Sequence, residues 1–182
     1  MDALEYIGLK CDVINEGYAD EVEWSTRIGP PDSPDVFLDE FIFVVLNSGM
    51  KASVVEKIAV RVFKAIRHRR PVREAFGHPG KAEAIELARQ EVGRWFTEYM
   101  ALDTDEARVD YLETLPWIGP VTKWHLAKNF GVDCIKPDRH LVRIAGGETE
   151  ARELCRTLAE KTGDRLATVD TVLWRAAALG WI

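Results

Sequence analysis

LETLPWIGPVTKWHLAKNFGVDCIKPDRHLVRIA, residues Leu112 to Ala145, decides how the rest of the chain is read. It contains a helix end, a tight hairpin at 115–119, a second helix, a short link, and a third helix opened by Asp138. Pro116 stops the first of these helices, because proline has no amide proton and restricts the residue before it. Gly119 is expected to take a backbone conformation closed to most residues, and Pro120 suits the first position of a new helix. The first amides of that helix, around Gly119, Val121 and Thr122, then have no partner within it. Unpaired amides at the positive end of a helix dipole attract phosphate. Nothing in the stretch is suited to reading base edges, so the grip is predicted to fall on a backbone and to be independent of sequence.

Two parts of this stretch resemble a known family. Leu115-Pro116-Trp117-Ile118-Gly119 is similar to the hairpin of the helix-hairpin-helix DNA glycosylases. Lys136-Pro137-Asp138-Arg139-His140-Leu141-Val142-Arg143 resembles the segment around their catalytic aspartate, here the loop 136–139, and the spacing between the two parts fits as well. The superfamily includes endonuclease III, the adenine mismatch glycosylases and 3-methyladenine glycosylase II, and the likeness runs from about Asp35 to the C-terminus. The resemblance implies double-stranded DNA as partner, with contacts from Pro116, Trp117, Ile118, Gly119, Val121, Thr122 and Lys123. It also implies a monovalent cation, K⁺ or Na⁺, held by the main-chain carbonyls of Glu113, Leu115 and Ile118 and bridging the turn to a phosphate. The helix that starts near Asp35 would end beside the DNA, where Asn47 or Met50 would fill the gap left by an everted base.

Two departures from the family pattern bear on the chemistry. The first hairpin position, glycine in the family, is Trp117. The place of the catalytic lysine in strand-cleaving members, two residues after the last hairpin glycine, holds Val121. Lys123 lies two residues further on, roughly 200° around a helix of 3.6 residues per turn, so it is expected to point elsewhere. The resemblance therefore implies a monofunctional, water-using enzyme. Competing readings are a glycosylase with lyase activity through Lys123, Lys136 or Lys51, and a non-catalytic module that keeps only the hairpin.

Breaking an N-glycosidic bond leaves positive charge on the sugar, which an ionised carboxylate stabilises. Pro137 fits the first turn of a helix and sets Asp138 among free amides, where hydrogen bonds and the dipole favour the charged form at neutral pH. Capping alone is the other role open to an aspartate at this position; the hairpin upstream favours catalysis. His140 and Arg143, on the same helix, are expected to support the fold or touch phosphate. A target base within a duplex has to be flipped into a pocket. Trp24, Trp124 and Phe43 are aromatic candidates for its lining, with plain packing as the alternative.

Composition sets the frame. Of 182 residues, 47% are hydrophobic and 30% charged, which is ordinary for a globular protein of one substantial core or two small lobes. No apolar run reaches the roughly 18 residues of a membrane helix, so we expect a cytoplasmic protein without a membrane partner, and a monomer. Cys11, Cys134 and Cys155 are scattered, giving neither a disulfide framework nor zinc spacing. They also lack the C-terminal four-cysteine cluster of endonuclease III-like members, so no iron-sulfur cluster and no required cofactor are expected. The net charge of −6 opposes DNA binding only in total: residues 1–40 carry eleven acids and two bases, leaving net +3 for the remainder.

Residues 1–33 mix acids with apolar groups, and are read as an acidic segment packed on the core of a domain spanning 34–182. Gly29-Pro30-Pro31-Asp32-Ser33-Pro34 breaks the chain. Phe37, Leu38, Phe41, Ile42, Val44, Val45 and Leu46 then make a helix apolar on nearly all sides, central to the core. Ser53 with Glu56 predicts a capping box for a helix that turns Val55, Ile58, Val62 and Ile66 inward. Lys51 to Arg73 holds eight bases and one acid, either a solvated face or a backbone-binding patch. A long helix from about Lys81 to Leu102 and another capped by Thr104 lead to the hairpin, and two more complete the chain after Gly146-Gly147. No stretch alternates as a strand does. The fold class is all-α, two helical lobes around a cleft, containing a helix-hairpin-helix motif.

Overall fold

The computed structural model describes residues 1–50 and 52–182, apart from the side chains of 52 and 53. The capping role of Ser53 and the candidate amine of Lys51 therefore lie outside the described residues. The helices are α1 (Ala3–Val13), α2 (Ala19–Arg27), α3 (Pro34–Asn47), α4 (Ala52–Arg67), α5 (Val72–Ala75), α6 (Pro79–Met100), α7 (Asp105–Glu113), α8 (Thr122–Asn129), α9 (Arg139–Ala145), α10 (Glu148–Thr162) and α11 (Leu166–Leu179). No strand occurs among the described residues, and the fold is all-α. No described helix is long and apolar enough to cross a membrane.

The chain forms two compact units, Pro31–Ala127 and Met1–Pro30 with Lys128–Ile182. The first boundary falls at the Gly29–Pro34 break, where proline and glycine end α2. The second falls inside α8, so it divides the stretch read from sequence as one domain over 34–182.

In the unit Pro31–Ala127, α3 is the central helix. Ser33 caps it through Oγ, which accepts the Val36 N–H at 3.3 Å, and Pro34 occupies its first turn. Phe37, Phe41, Ile42, Val44, Val45 and Leu46 are all buried. Phe37 meets Phe96 and Tyr99 of α6 edge-on at 6.5 and 5.7 Å, and Phe41 meets Trp95 at 5.6 Å. Burying each such ring contributes about 1.5–3 kcal/mol. The end of α3 is closed by a side chain from α6. Lys81 is buried, and its Nζ donates to the Leu46 carbonyl at 2.9 Å and the Ser48 carbonyl at 2.6 Å. Its burial lowers the ammonium's pKa, so those carbonyls are what keep a charge there. On α4, Val55, Ile58, Val62 and Ala65 point inward while Lys57, Arg61 and Lys64 stay outside.

In the other unit the core is built from Tyr6, Val13, Val22, Ile135, Leu141, Cys155, Leu158, Val169, Val172 and Leu173. The acidic N-terminal helices belong to this core. Gly17, at φ 102°, makes the kink between α1 and α2 that only a residue without Cβ takes easily. Asp164 accepts from Lys10 Nζ at 2.7 Å and from Tyr6 OH at 2.8 Å, and burial with that bond raises the tyrosine pKa. Glu21 pairs with Arg175, whose guanidinium lies 4.1 Å over the Tyr18 ring. Arg165 donates to the Ile28 and Gly131 carbonyls, each at 2.8 Å. Gly131 (φ 82°) approaches the backbone of Gly29 so closely that a Cβ there would sit 2.4 Å from its carbonyl carbon.

Candidate active site

The hairpin lies in the unit Pro31–Ala127. The Leu115 carbonyl accepts the Ile118 N–H at 3.1 Å, closing a four-residue turn around Pro116 and Trp117. Proline followed by a positive φ is the type II pattern, and Trp117 has φ 67°. The left-handed residue is thus Trp117, in the family's glycine position, and the expectation for Gly119 is corrected: its φ is outside that region, and an added Cβ would meet nothing within 4 Å. Left-handed backbone in a bulky residue costs about 1–3 kcal/mol unless its surroundings hold it. Here the indole Nε1 donates to Ser48 Oγ at 2.9 Å, and the ring stands edge-on to His78 at 5.1 Å. Gly80 makes room for it, since a Cβ there would lie 2.5 Å from the ring.

This arrangement predicts a reversal of sign. Gly80→Ala should destabilise the parent by about 1 kcal/mol, because the indole must shift and loses the Ser48 bond. In a Trp117→Gly background the same change should stabilise by about 0.5–1 kcal/mol, the ordinary gain of alanine over glycine in a helix. Denaturant melts of the four proteins give the coupling, and two changes of equal sign would refute the contact.

The start of α8 also differs from expectation. The Gly119 N–H donates to Thr122 Oγ1 at 2.7 Å, so it is occupied by a side chain of the same turn. Lys123 N–H bonds the Gly119 carbonyl at 2.9 Å. Of the three amides nominated for a phosphate, those of Val121 and Thr122 keep the first-turn position. Lys123 turns back to α7, its Nζ 2.5 Å from Glu113 Oε2 and 3.6 Å from Asp110 Oδ1, and the Glu113 bond raises its pKa. Trp117 and Val121 are each 43% exposed.

Asn47 and Met50 form the turn after α3, with the Met50 N–H on the Asn47 carbonyl at 3.2 Å. The Asn47 amide donates to the Phe43 carbonyl at 2.8 Å. Because Ser48 lies in this turn, its bond to Trp117 ties the turn to the hairpin. Of the three aromatics nominated for a pocket, Phe43 packs edge-on against His125 at 5.9 Å and Trp124 lies 5.7 Å from Lys123 Nζ, both in this unit. Trp24 is exposed on α2 of the other unit.

Asp138 belongs to the unit Met1–Pro30 with Lys128–Ile182. It is the N-cap of α9: Oδ1 accepts the amides of His140 at 2.8 Å and Leu141 at 3.3 Å. Its Oδ2 lies 3.6 Å from Lys136 Nζ, and the side chain is 12% exposed. Pro137 starts the geometry by breaking the link 132–137 just ahead of the cap, and the Asp138 N–H bonds the Lys136 carbonyl at 2.7 Å. Beneath the loop is a charge the sequence reading passed over. Asp170 of α11 is buried, accepts the Lys136 N–H on Oδ1 at 3.3 Å and holds Lys128 Nζ on Oδ2. Burial raises the Asp170 pKa, and the Lys128 charge opposes that rise. Arg143 bonds the Ile182 carbonyl at 2.7 Å, so it supports the fold.

Ser48, His78 and Gly80 around Trp117, Lys81 at the end of α3, and Lys128 and Asp170 under Asp138 were not found from sequence. One signal was present: Asp170 is a lone acid between the apolar positions of LATVDTVLWRAAAL.

The sequence matches no family model and no curated protein. The fold does have a solved counterpart, the Methanocaldococcus jannaschii 8-oxoguanine glycosylase/lyase in complex with a 15mer DNA containing 8-oxoguanine. It matches with a TM-score of 0.70 and 18% identity, over 96% of this chain and 97% of that one. The chain has the fold of a DNA glycosylase. Both units are included in the match, the hairpin in one and the Asp138 loop in the other.

Proposed function

We propose that the chain is a monofunctional DNA N-glycosylase, in which water displaces a flipped base from its deoxyribose. The observation that carries this reading is the division of labour on Asp138: one oxygen is consumed by the helix cap, and the other is left beside a partly exposed ammonium. That second oxygen stabilises the positive charge developing at C1′ and orients the attacking water. Val121 stands where a strand-cleaving relative of this fold would carry an amine, which favours water as the nucleophile in base release. Double-stranded DNA is gripped through its backbone by the hairpin and the start of α8. A monovalent cation fits the hairpin carbonyls of Glu113, Leu115 and Ile118: the donors are neutral oxygens, and the turn bond uses one of the two lone pairs of Leu115. When bound, it would add positive charge facing a phosphate. No iron-sulfur cluster enters the reading, because the three cysteines of this sequence fall short of the four thiolates such a cluster takes.

The reading is tested with duplexes carrying uracil, mismatched thymine, alkylated purines or 8-oxoguanine, followed by alkali to reveal abasic sites. Alkali-labile product on at least one substrate is expected; none on any would leave a binding module. The grip has its own test. Because space around Gly119 is open and its backbone is not left-handed, Gly119→Ala should change stability by less than about 0.5 kcal/mol. The added methyl stands where a phosphate is to approach, so duplex affinity should fall about tenfold, a loss of about 1.4 kcal/mol. Unchanged binding in a titration would move the phosphate site away from this turn.

A further inference from the structure

The cations along α4 are sorted differently from those elsewhere in the chain. Lys57, Arg61, Lys64, Arg67, Arg69 and Arg70 are all exposed, and none makes an ion pair among the described residues. Outside this segment, only Arg139, Arg156 and Lys161 of the described lysines and arginines lack an acid or carbonyl partner. Glu56 and Glu74, the acids nearest in sequence, pair with none of them. Lys57, Arg61 and Lys64 follow at steps of four and three residues, so they line one face of the helix over about 10 Å. The helix closes in a paired turn, with the Arg70 N–H on the Ala65 carbonyl and the Arg69 N–H on the Ile66 carbonyl, both at 2.9 Å. Glycine usually fills the left-handed position of such a turn, and here it is Arg69 at φ 54°. The turn borders an open groove against α6, lined by Arg69, Arg70, Arg73 and Arg89. Glu83 and Glu86 also line it, but they are taken up by Arg73 and Arg89. The negative end of the helix dipole accounts for Lys64 and Arg67. It does not account for Lys57 and Arg61 further back along the helix, or for an arginine in glycine's place.

We propose that the outer face of α4, with the turn 68–71, is a second contact for the backbone of double-stranded DNA, apart from the hairpin. Gly80, against which Trp117 sits, and Arg89 in the groove are nine residues apart on α6, about 14 Å. Duplex DNA carries a phosphate charge about every 1.7 Å of its axis, the repeating anion that a row of unpaired cations complements. Arginine adds a planar fork that matches phosphate oxygens two at a time. Such contacts read no base, so this face holds undamaged and damaged duplex alike and keeps the chain on DNA between lesions. The inference rests on duplex DNA being the partner, and not on the role of Asp138.

The test is binding of the full chain to an undamaged duplex across a salt series. Arg61→Gln with Lys64→Gln should weaken binding about tenfold at low salt and reduce the slope of log affinity against log salt by about 1.8, the release of two counterions. Arg156→Gln with Lys161→Gln removes the same charge from exposed positions of α10 and should leave the slope as in the parent. An unchanged slope in the first pair, or an equal loss in both, overturns the second contact. Arg69→Gly separates binding from folding. Glycine relieves the left-handed backbone, so this variant should melt no lower than the parent while binding about threefold more weakly; unchanged affinity there also overturns the proposal. Base release from lesion-bearing duplexes is scored separately. Release with an unchanged slope ends the second contact and leaves the glycosylase reading intact, whereas a slope loss without release from any lesion upholds the contact and ends the glycosylase reading.

Discussion

Asp138→Asn should fold nearly as stably as the parent and release its base at least about 10²-fold more slowly, the scale of losing one preorganised electrostatic contact at a reacting centre. The two halves of this expectation come from the two oxygens. Asparagine is as good an N-cap as aspartate, so its carbonyl oxygen can keep the bonds that Oδ1 makes with His140 and Leu141. The charge beside Lys136, which the proposed chemistry sets against the sugar, is what disappears. Losing a carboxylate at the start of α9 costs about 0.3–1 kcal/mol through the dipole, too little to unfold the unit. Asp138→Ala removes the cap as well and should cost about 1 kcal/mol more in stability at a similar rate. Thermal melts and single-turnover base release separate these effects. An asparagine variant as fast as the parent would reduce Asp138 to a structural cap and withdraw it from the chemistry.

The elements were legible in the sequence where local chemistry decides them. Thr104 opening α7 and Asp138 opening α9 both follow from which side chains accept a first-turn amide, and the start of α3 follows from the Gly29–Pro34 break. The all-round apolar character of α3 announced its central place. What stayed hidden depends on neighbours distant in the chain. Trp117 could be seen to replace a glycine, but what supports it comes from Ser48, His78 and Gly80, none of which is near it in sequence. The same holds for the acids of the first thirty residues. They read only as part of an acidic segment packed on the core, with no partners assigned, while Glu21 pairs with Arg175, and the segment's Lys10 and Tyr6 bind Asp164. The division inside α8 left no trace in composition, because a helix can pass from one core to another without a breaking residue.

Lys128→Met should be the most damaging single substitution near the candidate site, lowering stability by about 3–5 kcal/mol, the usual result of removing one partner of a buried ion pair. Methionine matches the length of the aliphatic stem, so little packing is lost; the damage comes from leaving the buried Asp170 carboxylate without the ammonium that Oδ2 holds. The sign of its pH dependence follows from the acid. Burial already raises the Asp170 pKa above its ordinary value, and Lys128 is the first of the groups that oppose the rise. Without Lys128 the rise is larger. A folded-state pKa above the unfolded one favours the protonated protein, so stability is retained at low pH and lost as pH climbs through the folded value. The deficit of Lys128→Met relative to the parent should therefore be greatest at neutral and alkaline pH and narrow on acidification. Adding Asp170→Asn should recover most of it at neutral pH, because the amide can still accept the Lys136 N–H without carrying charge. Melts of the three proteins across pH check both points; a deficit independent of pH would mean that packing, not the stranded carboxylate, sets the cost. The consequence reaches the candidate chemistry, since Asp170 holds the backbone of Lys136, and that residue's own carbonyl takes the Asp138 amide at 2.7 Å. Base release in Lys128→Met should accordingly fall more at neutral pH than in the double variant, in step with the stranded carboxylate and not with the missing lysine.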